Sequence, residues 1–238
     1  SDALQRKTDF SQTEWDAFHV NDLRHDHYVE ANEIYYQPAV SGLFADVHTN
    51  RTVGSLSSWD TARVTVMSGA FRNTNIAPTA IAWNVSSVTD MSHMFRENAL
   101  FNAPLGTWNV QAVTDFSSMF EDATAFNQSL GGWAASTAMA ATSMANMFKG
   151  ATSFNGAVDA WRVGNVQDMS GIFNGASAFN QALGSWEGDS VTTLSQAFRD
   201  SAFNAPLGTW NVHAVTDFSS MFEDATAFNQ PLGGWASH

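Results

Sequence analysis

The chain of 238 residues has few or none of several residue types, and each shortage excludes a class of protein. It has no cysteine, which excludes disulfides, thiolate metal sites and cysteine nucleophiles together. Lys and Arg number 10 against 23 Asp and Glu, a net charge of −13, which argues against nucleic acid and anionic membranes as partners. No apolar run approaches the roughly 20 residues of a membrane-spanning helix. The chain starts at Ser1 without Met or a signal-like segment, so we expect a processed or trimmed product.

Tryptophan, by contrast, is abundant and regularly placed. Successive intervals are 24, 25, 25, 28, 25, 24 and 25 residues, and the positions are Trp59, Trp83, Trp108, Trp133, Trp161, Trp186, Trp210 and Trp235. A fixed period of this length indicates stacked copies of one small structural unit. The sequence therefore predicts a repeat array over residues 53–238. Residues 1–52 do not join the repeat, and we expect them to form an N-terminal cap.

Within one unit, the apolar residues follow two different periods. Trp108 and Val110 alternate around Asn109, which suits a short strand. Apolar residues then follow at steps of three and one, which favours a short α or 3₁₀ helix; they are Val113, Phe116, Met119, Phe120 and Ala123. The sequence thus predicts an α/β repeat solenoid with about eight coils of 24–28 residues, each with one short strand and one short helix. We expect the equivalent Trp, Val, Met and Phe side chains to form continuous internal columns.

Two further features support an array of nearly equivalent units. The 28-residue interval holds three extra residues within 134–140, which we expect in a surface loop because the apolar phase recovers after them. Residues 101–134 and 203–236 match at 32 of 34 positions, and differ only at Gln111/His213 and Ser129/Pro231. A block of four units has therefore been duplicated.

The repeated motif is Val-Thr-Asp-Met-Ser-x-Met-Phe, then Ala, then Phe-Asn and Trp, as in residues 88–95 and 166–180. It resembles the BspA-like leucine-rich-repeat surface proteins, whose repeat of roughly 25 residues is also known from mycoplasma lipoproteins. The resemblance covers the chain from about residue 55 to its end. It implies a leucine-rich-repeat-like solenoid at a surface and a role in adhesion or partner binding, without naming a ligand.

The positions that follow the tryptophans are the candidate binding face. They are Asp60, Asn84, Asn109, Arg162, Glu187 and Asn211, and they vary in charge while the core positions do not. We expect a non-enzymatic interaction or adhesion module, extracellular or at the cell surface, that binds a protein or glycan and needs no metal or cofactor. The alternative is a structural subunit of a filament, coat or matrix. It would self-associate through the coil of Trp235, which has no capping segment.

Recurring polar columns have a structural and a functional interpretation, and we favour the structural one for each. An Asn after each second Phe predicts a ladder bonded to backbone groups rather than a ligand site. Aspartates equivalent to Asp115 are expected to cap helices rather than to hold calcium. Threonines equivalent to Thr114 are expected to cap helices rather than to bind ice. The pairs Glu121-Asp122 and Glu223-Asp224 are expected to be solvated.

Two remaining signals concern single sites. His25-Asp26-His27 is the one cluster that suggests metal or acid–base chemistry, but neighbouring side chains point apart, and we expect a solvated segment. Three Asn-x-Ser/Thr sequons begin at Asn50, Asn84 and Asn127. Asn50 and Asn84 are the candidate glycosylation sites, because Asn127 belongs to the asparagine ladder and is expected to be buried.

Overall fold

A computed structural model of the protein describes residues 29–30, 33–34, 39–48, 61–133 and 139–237. Two strands, β1 (Val29–Glu30) and β2 (Glu33–Ile34), pair in antiparallel orientation. Two 3₁₀ helices, Gly131–Trp133 and Gly233–Ser237, begin at equivalent positions of the duplicated block. These ranges contain no α-helix. Across them, no helix has the length and apolar character required to cross a membrane.

From residue 39 onwards, each repeat lies beside the next repeat of the chain. Seven parallel bridges join one equivalent position in successive repeats; the bridged residues are Ala39, Val66, Asp90, Asp115, Ser143, Asp168, Thr193 and Asp217. The bridge from Asp115 to Ser143 spans the 28-residue interval, so the extra residues leave the register unchanged. One continuous cluster of buried apolar side chains runs from Val40 to Met221.

Residues 39–48, which the sequence analysis placed in the cap, pack as the first unit of this array. The N–H group of Phe44 donates to the carbonyl oxygen of Ala70 at 2.7 Å. The ring of Phe44 stacks on that of Phe71, with the centroids 5.1 Å apart. Apart from β1 and β2, the rest of the cap expected over residues 1–52 lies outside the described residues, and so does the His25-Asp26-His27 cluster.

One side of each repeat is a series of tight turns, here called the turn ribbon, which residues 116–122 illustrate. Alternate N–H groups donate to carbonyl oxygens of the next repeat at 2.7–3.0 Å; the donors are Phe116, Ser118, Phe120 and Asp122. Between them, the N–H group of Met119 donates to the carbonyl oxygen of Phe116 at 3.1 Å, within the same repeat. The same four bonds recur at all seven junctions, with the donor always in the earlier repeat.

The turn ribbon replaces the short helix that the apolar spacing predicted over residues 113–123. In an α-helix each N–H group bonds the carbonyl four residues back, whereas here alternate N–H groups bond the neighbouring repeat. The φ angles of Ser118 and Asp122 are 56° and 57°, which a right-handed helix does not allow. The predicted stripe is nevertheless internal: Phe116 and Phe120 are each 0% exposed.

The strand expected around Trp108 is also absent, and parallel pairing occurs at the Asp115 position instead. The N–H group of Trp108 donates to the carbonyl oxygen of Leu105 at 3.0 Å, so this segment closes a turn within its own repeat. The predicted direction of its side chains is confirmed: Trp108 and Val110 are buried while Asn109 is exposed.

The predicted internal columns of aromatic side chains are confirmed. From Phe71 to Phe222, one phenylalanine per repeat stacks on the next with ring centroids 5.5–5.7 Å apart. A second phenylalanine column, from Phe101 to Phe228, has centroids 5.8–6.2 Å apart. Such pairs contribute about 0.5–1.5 kcal/mol each beyond the burial of their area, so the two columns favour one fixed register.

Six of the indoles are also fixed by a hydrogen bond to the preceding repeat. Nε1 of Trp133 donates to the carbonyl oxygen of Leu105 at 2.9 Å, and Nε1 of Trp186 to that of Val158 at 3.0 Å. Trp108, Trp161, Trp210 and Trp235 make the equivalent bond at 2.8–3.2 Å. A repeated Trp therefore serves two purposes, since it fills the core and its own buried indole N–H group finds an acceptor in the preceding repeat.

Candidate binding face

The residues that follow the tryptophans are at the surface, as a presented face requires. Asn84, Asn109, Arg162 and Glu187 are exposed and Asn211 is half-exposed. Asp60, the remaining member of the predicted face, lies outside the described residues. Because the preceding Trp side chains are fixed in the core, these five side chains start from equivalent backbone positions of a rigid scaffold.

The three asparagines of the face have a local backbone role. Each Oδ1 accepts the N–H group two residues further on, at 3.1 Å for Asn84, 3.3 Å for Asn109 and 3.1 Å for Asn211. This Asx-turn starts the segment that leads to the turn ribbon. Nδ2 of Asn211 also donates to Oδ1 of Asp189 at 2.5 Å. The amide groups thus shape the backbone, and among the three only the Nδ2 atoms of Asn84 and Asn109 bond no described residue.

Arg162 and Glu187 are the charged members of the face, in consecutive repeats. Arg162 is exposed and forms no side-chain ion pair with any residue that the structure describes. Oε2 of Glu187 lies 3.8 Å from the position that a Cβ atom on Gly164 would take, so this side chain leans towards the repeat of Arg162. The face therefore carries one available cation and one available carboxylate side by side.

A shallow cleft of about 180 Å³ lies beside Asn109 on this face. It is lined by Thr107, Trp108, Asn109, Val110, Gln111, Gly132 and Trp133. This lining combines two indoles with hydroxyl and amide groups and no charged side chain, which suits a small uncharged group. The equivalent positions of the duplicated block carry His213 in place of Gln111.

A column of charged residues on the turn ribbon was not predicted from the sequence, and Glu121 is not solvated as expected. The Glu121 side chain is 8% exposed and pairs with cations of both neighbouring repeats, Arg96 at 3.2 Å and Lys149 at 3.1 Å. Burial opposes ionisation of this carboxyl, but hydrogen bonds from Ser118 and Lys149, with the charges of Lys149 and Arg96, hold the pKa of Glu121 below its ordinary value. Burial, and then the charge of Glu121, raise the pKa of Asp122.

The aspartate column makes local turns. Oδ1 of Asp115 accepts the N–H group of Ser117 at 2.8 Å, and Asp90, Asp168 and Asp217 do the same two residues on. The expected capping role thus applies to the turn ribbon rather than to a helix. Within the described ranges, no group of three or more His, Asp or Glu side chains is placed to hold a metal ion.

The threonine column is committed to the backbone as well. Oγ1 of Thr114 donates to the carbonyl oxygen of Thr89 at 3.0 Å, and Oγ1 of Thr142 to that of Thr114 at 3.2 Å. These hydroxyl hydrogens bond the preceding repeat, so the column strengthens the stacking instead of capping helices.

The asparagine ladder is confirmed, but it lies at the surface. Oδ1 of Asn102 accepts the N–H group of Asn127 at 2.9 Å, and the same bond recurs up to Asn229 at 2.8–3.0 Å. Asn127 itself is exposed, which corrects the expectation that it is buried. The ladder needs only a bond from the N–H group of the next repeat to each Oδ1 atom, so the rest of the amide can lie at the surface.

Comparison with known proteins gives one family. Residues 39–159 and 142–238 match the family described as "Mycoplasma protein of unknown function, DUF285". No curated protein and no solved structure matches the chain. The matched ranges coincide with the stacked repeats, including the unit of residues 39–48. The chain therefore belongs to the DUF285 family, which is part of the BspA-like group of repeat surface proteins.

Proposed function

We propose that the chain is a repeat solenoid of leucine-rich-repeat type that works as a non-enzymatic interaction or adhesion module. It acts outside the cell or at its surface, and it binds a protein or glycan through the candidate binding face. The family supports this proposal, because it belongs to a group of repeat surface proteins.

The observation that carries the proposal is the contrast between a fixed interior and a varied face. Trp133, Trp161 and Trp186 are at most 3% exposed and stack with centroids 5.6 and 6.0 Å apart. The residues that follow the tryptophans differ in charge from repeat to repeat and point outwards from this common base. Solenoids use extended surfaces of this kind for binding. Arg162 and Glu187 offer the strongest polar contacts, since neither is engaged in an ion pair with a described residue.

A binding screen tests the proposal directly. The probes are a printed array of neutral and acidic glycans and a set of immobilised extracellular-matrix proteins. For any probe bound, the double variant Arg162→Ala/Glu187→Ala should lose at least about tenfold in affinity, or 1.4 kcal/mol. The matched control is Asp46→Ala/Arg72→Ala, which removes an exposed ion pair of 3.2 Å from the turn ribbon with the same change in net charge. Equal binding by both double variants would count against the face.

The alternative function, a subunit of an assembly, has one supporting observation. In the last described repeat, the N–H groups equivalent to the donors of the turn ribbon bond no described residue; they belong to Phe218, Ser220, Phe222 and Asp224. Phe218 is 38% exposed, whereas its equivalent Phe116 is 0% exposed. A further repeat, supplied by a continuation of the chain or by a second copy, would pair these donors and cover that ring; the assembly function requires the second copy.

Sedimentation over a concentration series distinguishes the two functions. An assembly subunit forms larger species as concentration rises, and Phe218→Lys abolishes them. Leu100→Lys is the matched control, because Leu100 is 60% exposed but lies on the side of the array. A monomer at all concentrations would exclude the assembly function and would not bear on the candidate binding face.

A further inference from the structure

Two sequons lie among the described residues, and their side chains are held in different ways. One begins at Asn84 and the other at Asn127. We propose that Asn84 is the acceptor of an N-linked glycan, and that Asn127 is not. The donor is an oligosaccharide linked through pyrophosphate to a lipid, and the transfer takes place when the chain enters a secretory pathway that contains the transferase.

The amide of Asn84 is oriented by its own sequon. Oδ1 accepts hydrogen bonds from the N–H group of Ser86 at 3.1 Å and from the Ser86 hydroxyl at 2.7 Å. The side chain is exposed, and its Nδ2 atom bonds no described residue. Both bonds span only two residues, so they can form before the repeats have stacked. The backbone carbonyl of Asn84 is engaged by the Thr61 hydroxyl at 2.9 Å, which leaves the side chain as the free part of the residue.

The amide of Asn127 is instead clamped between repeats. Its Oδ1 accepts the N–H group of Asn155 at 2.9 Å, and its own N–H group donates to Oδ1 of Asn102 at 2.9 Å. The Ser129 hydroxyl bonds the N–H group of Gly131 at 3.4 Å and not the asparagine of its sequon. The Oδ1 atom of Asn127 is thus oriented by the neighbouring repeat, and its sequon lacks the local turn that orients the amide of Asn84.

The chemistry of the transfer is balanced without an oxidant or reductant. Nδ2 of Asn84 forms a bond to C1 of the first sugar, and the bond between C1 and the pyrophosphate oxygen breaks. The lipid pyrophosphate leaves with the electron pair, and the proton lost from Nδ2 passes to a base of the transferase or to solvent. The Oδ1 atom keeps its two hydrogen bonds from Ser86 throughout.

The chain offers a matched position where the same site can be created. Asn109 follows a tryptophan, precedes Val110 and accepts the N–H group of Gln111 at 3.3 Å, the same Asx-turn as at Asn84. Only the third residue of the sequon is missing. Gln111→Ser should therefore create an acceptor with the surroundings of Asn84, one repeat further along the candidate binding face.

The experiment uses the full chain, secreted from eukaryotic cells, with Asn50→Gln in every variant so that this sequon does not contribute. Site occupancy is measured by peptide mapping before and after treatment with an N-glycosidase. The parent should carry one glycan, Asn84→Gln none, Asn127→Gln still one, and Gln111→Ser two. Translation with microsomal membranes gives the same readout for any variant that is not secreted.

Each departure from that pattern overturns the proposal. A parent without glycan, or a glycan that survives Asn84→Gln, removes Asn84 as the acceptor. Loss of the glycan in Asn127→Gln shows that the ladder asparagine is the one modified. A glycan on the new site of Gln111→Ser together with none on Asn84 shows that the shared turn does not select the acceptor. All of these outcomes are independent of the binding screen proposed above.

Discussion

Two repeats approach each other closely at Gly132, and replacing this glycine tests how tightly they pack. A Cβ atom on Gly132 would overlap the carbonyl oxygen of Gly106 in the preceding repeat. To restore a normal C···O contact, the two repeats must separate by on the order of 1 Å at this point. The 2.9 Å bond from Trp133 Nε1 to Leu105 is anchored beside this contact and would stretch past hydrogen-bonding distance.

The expected cost of Gly132→Ala follows from these contacts. Overpacking costs about 1–3 kcal/mol, and loss of the hydrogen bond made by the Trp133 indole N–H group adds about 1 kcal/mol. Gly184→Ala is the matched control, because a Cβ atom there meets nothing within 4 Å and the backbone is not left-handed. That substitution should be neutral or stabilise by about 0.4–1 kcal/mol through the unfolded chain. The difference between the two variants is about 3 kcal/mol, or roughly 10 °C in Tm.

Thermal and urea unfolding of the two variants, followed by tryptophan fluorescence, provides the measurement. The reasoning predicts that Gly132→Ala unfolds first while Gly184→Ala matches or exceeds the parent. If both variants unfold at the same temperature and urea concentration, the repeats are not packed as closely as the contact between Gly132 and Gly106 requires.

Three further outcomes are expected. Trp186→Phe keeps an aromatic ring in the core but removes the 3.0 Å hydrogen bond from the indole to the Val158 carbonyl and leaves space where the larger ring was, and urea unfolding should show a loss of about 1–3 kcal/mol. Asn155→Ala removes a ladder acceptor and should cost about 1 kcal/mol in the same assay, whereas Asn155→Asp, which keeps an acceptor oxygen, should cost less. Because the folded pKa of Glu121 lies below its ordinary value of 4.5, its contribution is present at neutral pH and lost as the pH falls through the folded pKa. Unfolding titrations between pH 7 and 3 should therefore show a shallower loss of stability for Glu121→Gln than for the parent.

The sequence predicted which side chains are internal more accurately than it predicted the backbone that places them. Val113, Phe116 and Phe120 are buried as expected, because the need to cover apolar side chains constrains every repeat in the same way. The helix prediction was wrong because steps of three and one fit a series of tight turns as well as they fit a helix. What decides between them is where the N–H groups find acceptors, and the acceptors lie in the next repeat, about 25 residues away.

The left-handed backbone conformation of several non-glycine residues was a second feature that the sequence did not predict. Ser118 and Gln196 occupy equivalent positions of the turn ribbon with φ of 56° and 57°, and Gly171 takes the same position with φ of 59°. Once the repeats are aligned, the glycine at this position of one repeat indicates the left-handed conformation for the equivalent residues of the others.

The candidate site was predictable in part. The exposure of Asn84, Asn109, Arg162 and Glu187 follows from the alternation with the buried tryptophans. The cleft beside Asn109 could not be predicted from this alternation, since its shape depends on how two repeats pack at Gly132. The buried charge of Glu121 could have been found from the alignment, because Arg96 and Lys149 occupy its position in the flanking repeats and supply the opposite charge.

The central claim is that consecutive repeats are stacked in register, and a chain without cysteine allows a direct chemical test. Asp115 and Ser143 form a parallel bridge across the 28-residue interval, so Asp115→Cys/Ser143→Cys should place two thiols within disulfide distance. Asp115→Cys/Asp168→Cys places them two repeats apart, about 10 Å, which is too far. The account predicts a disulfide under mild oxidation in the first variant and free thiols in the second, measured by mass. Free thiols in the first variant, or equal disulfide yields in both, would contradict it.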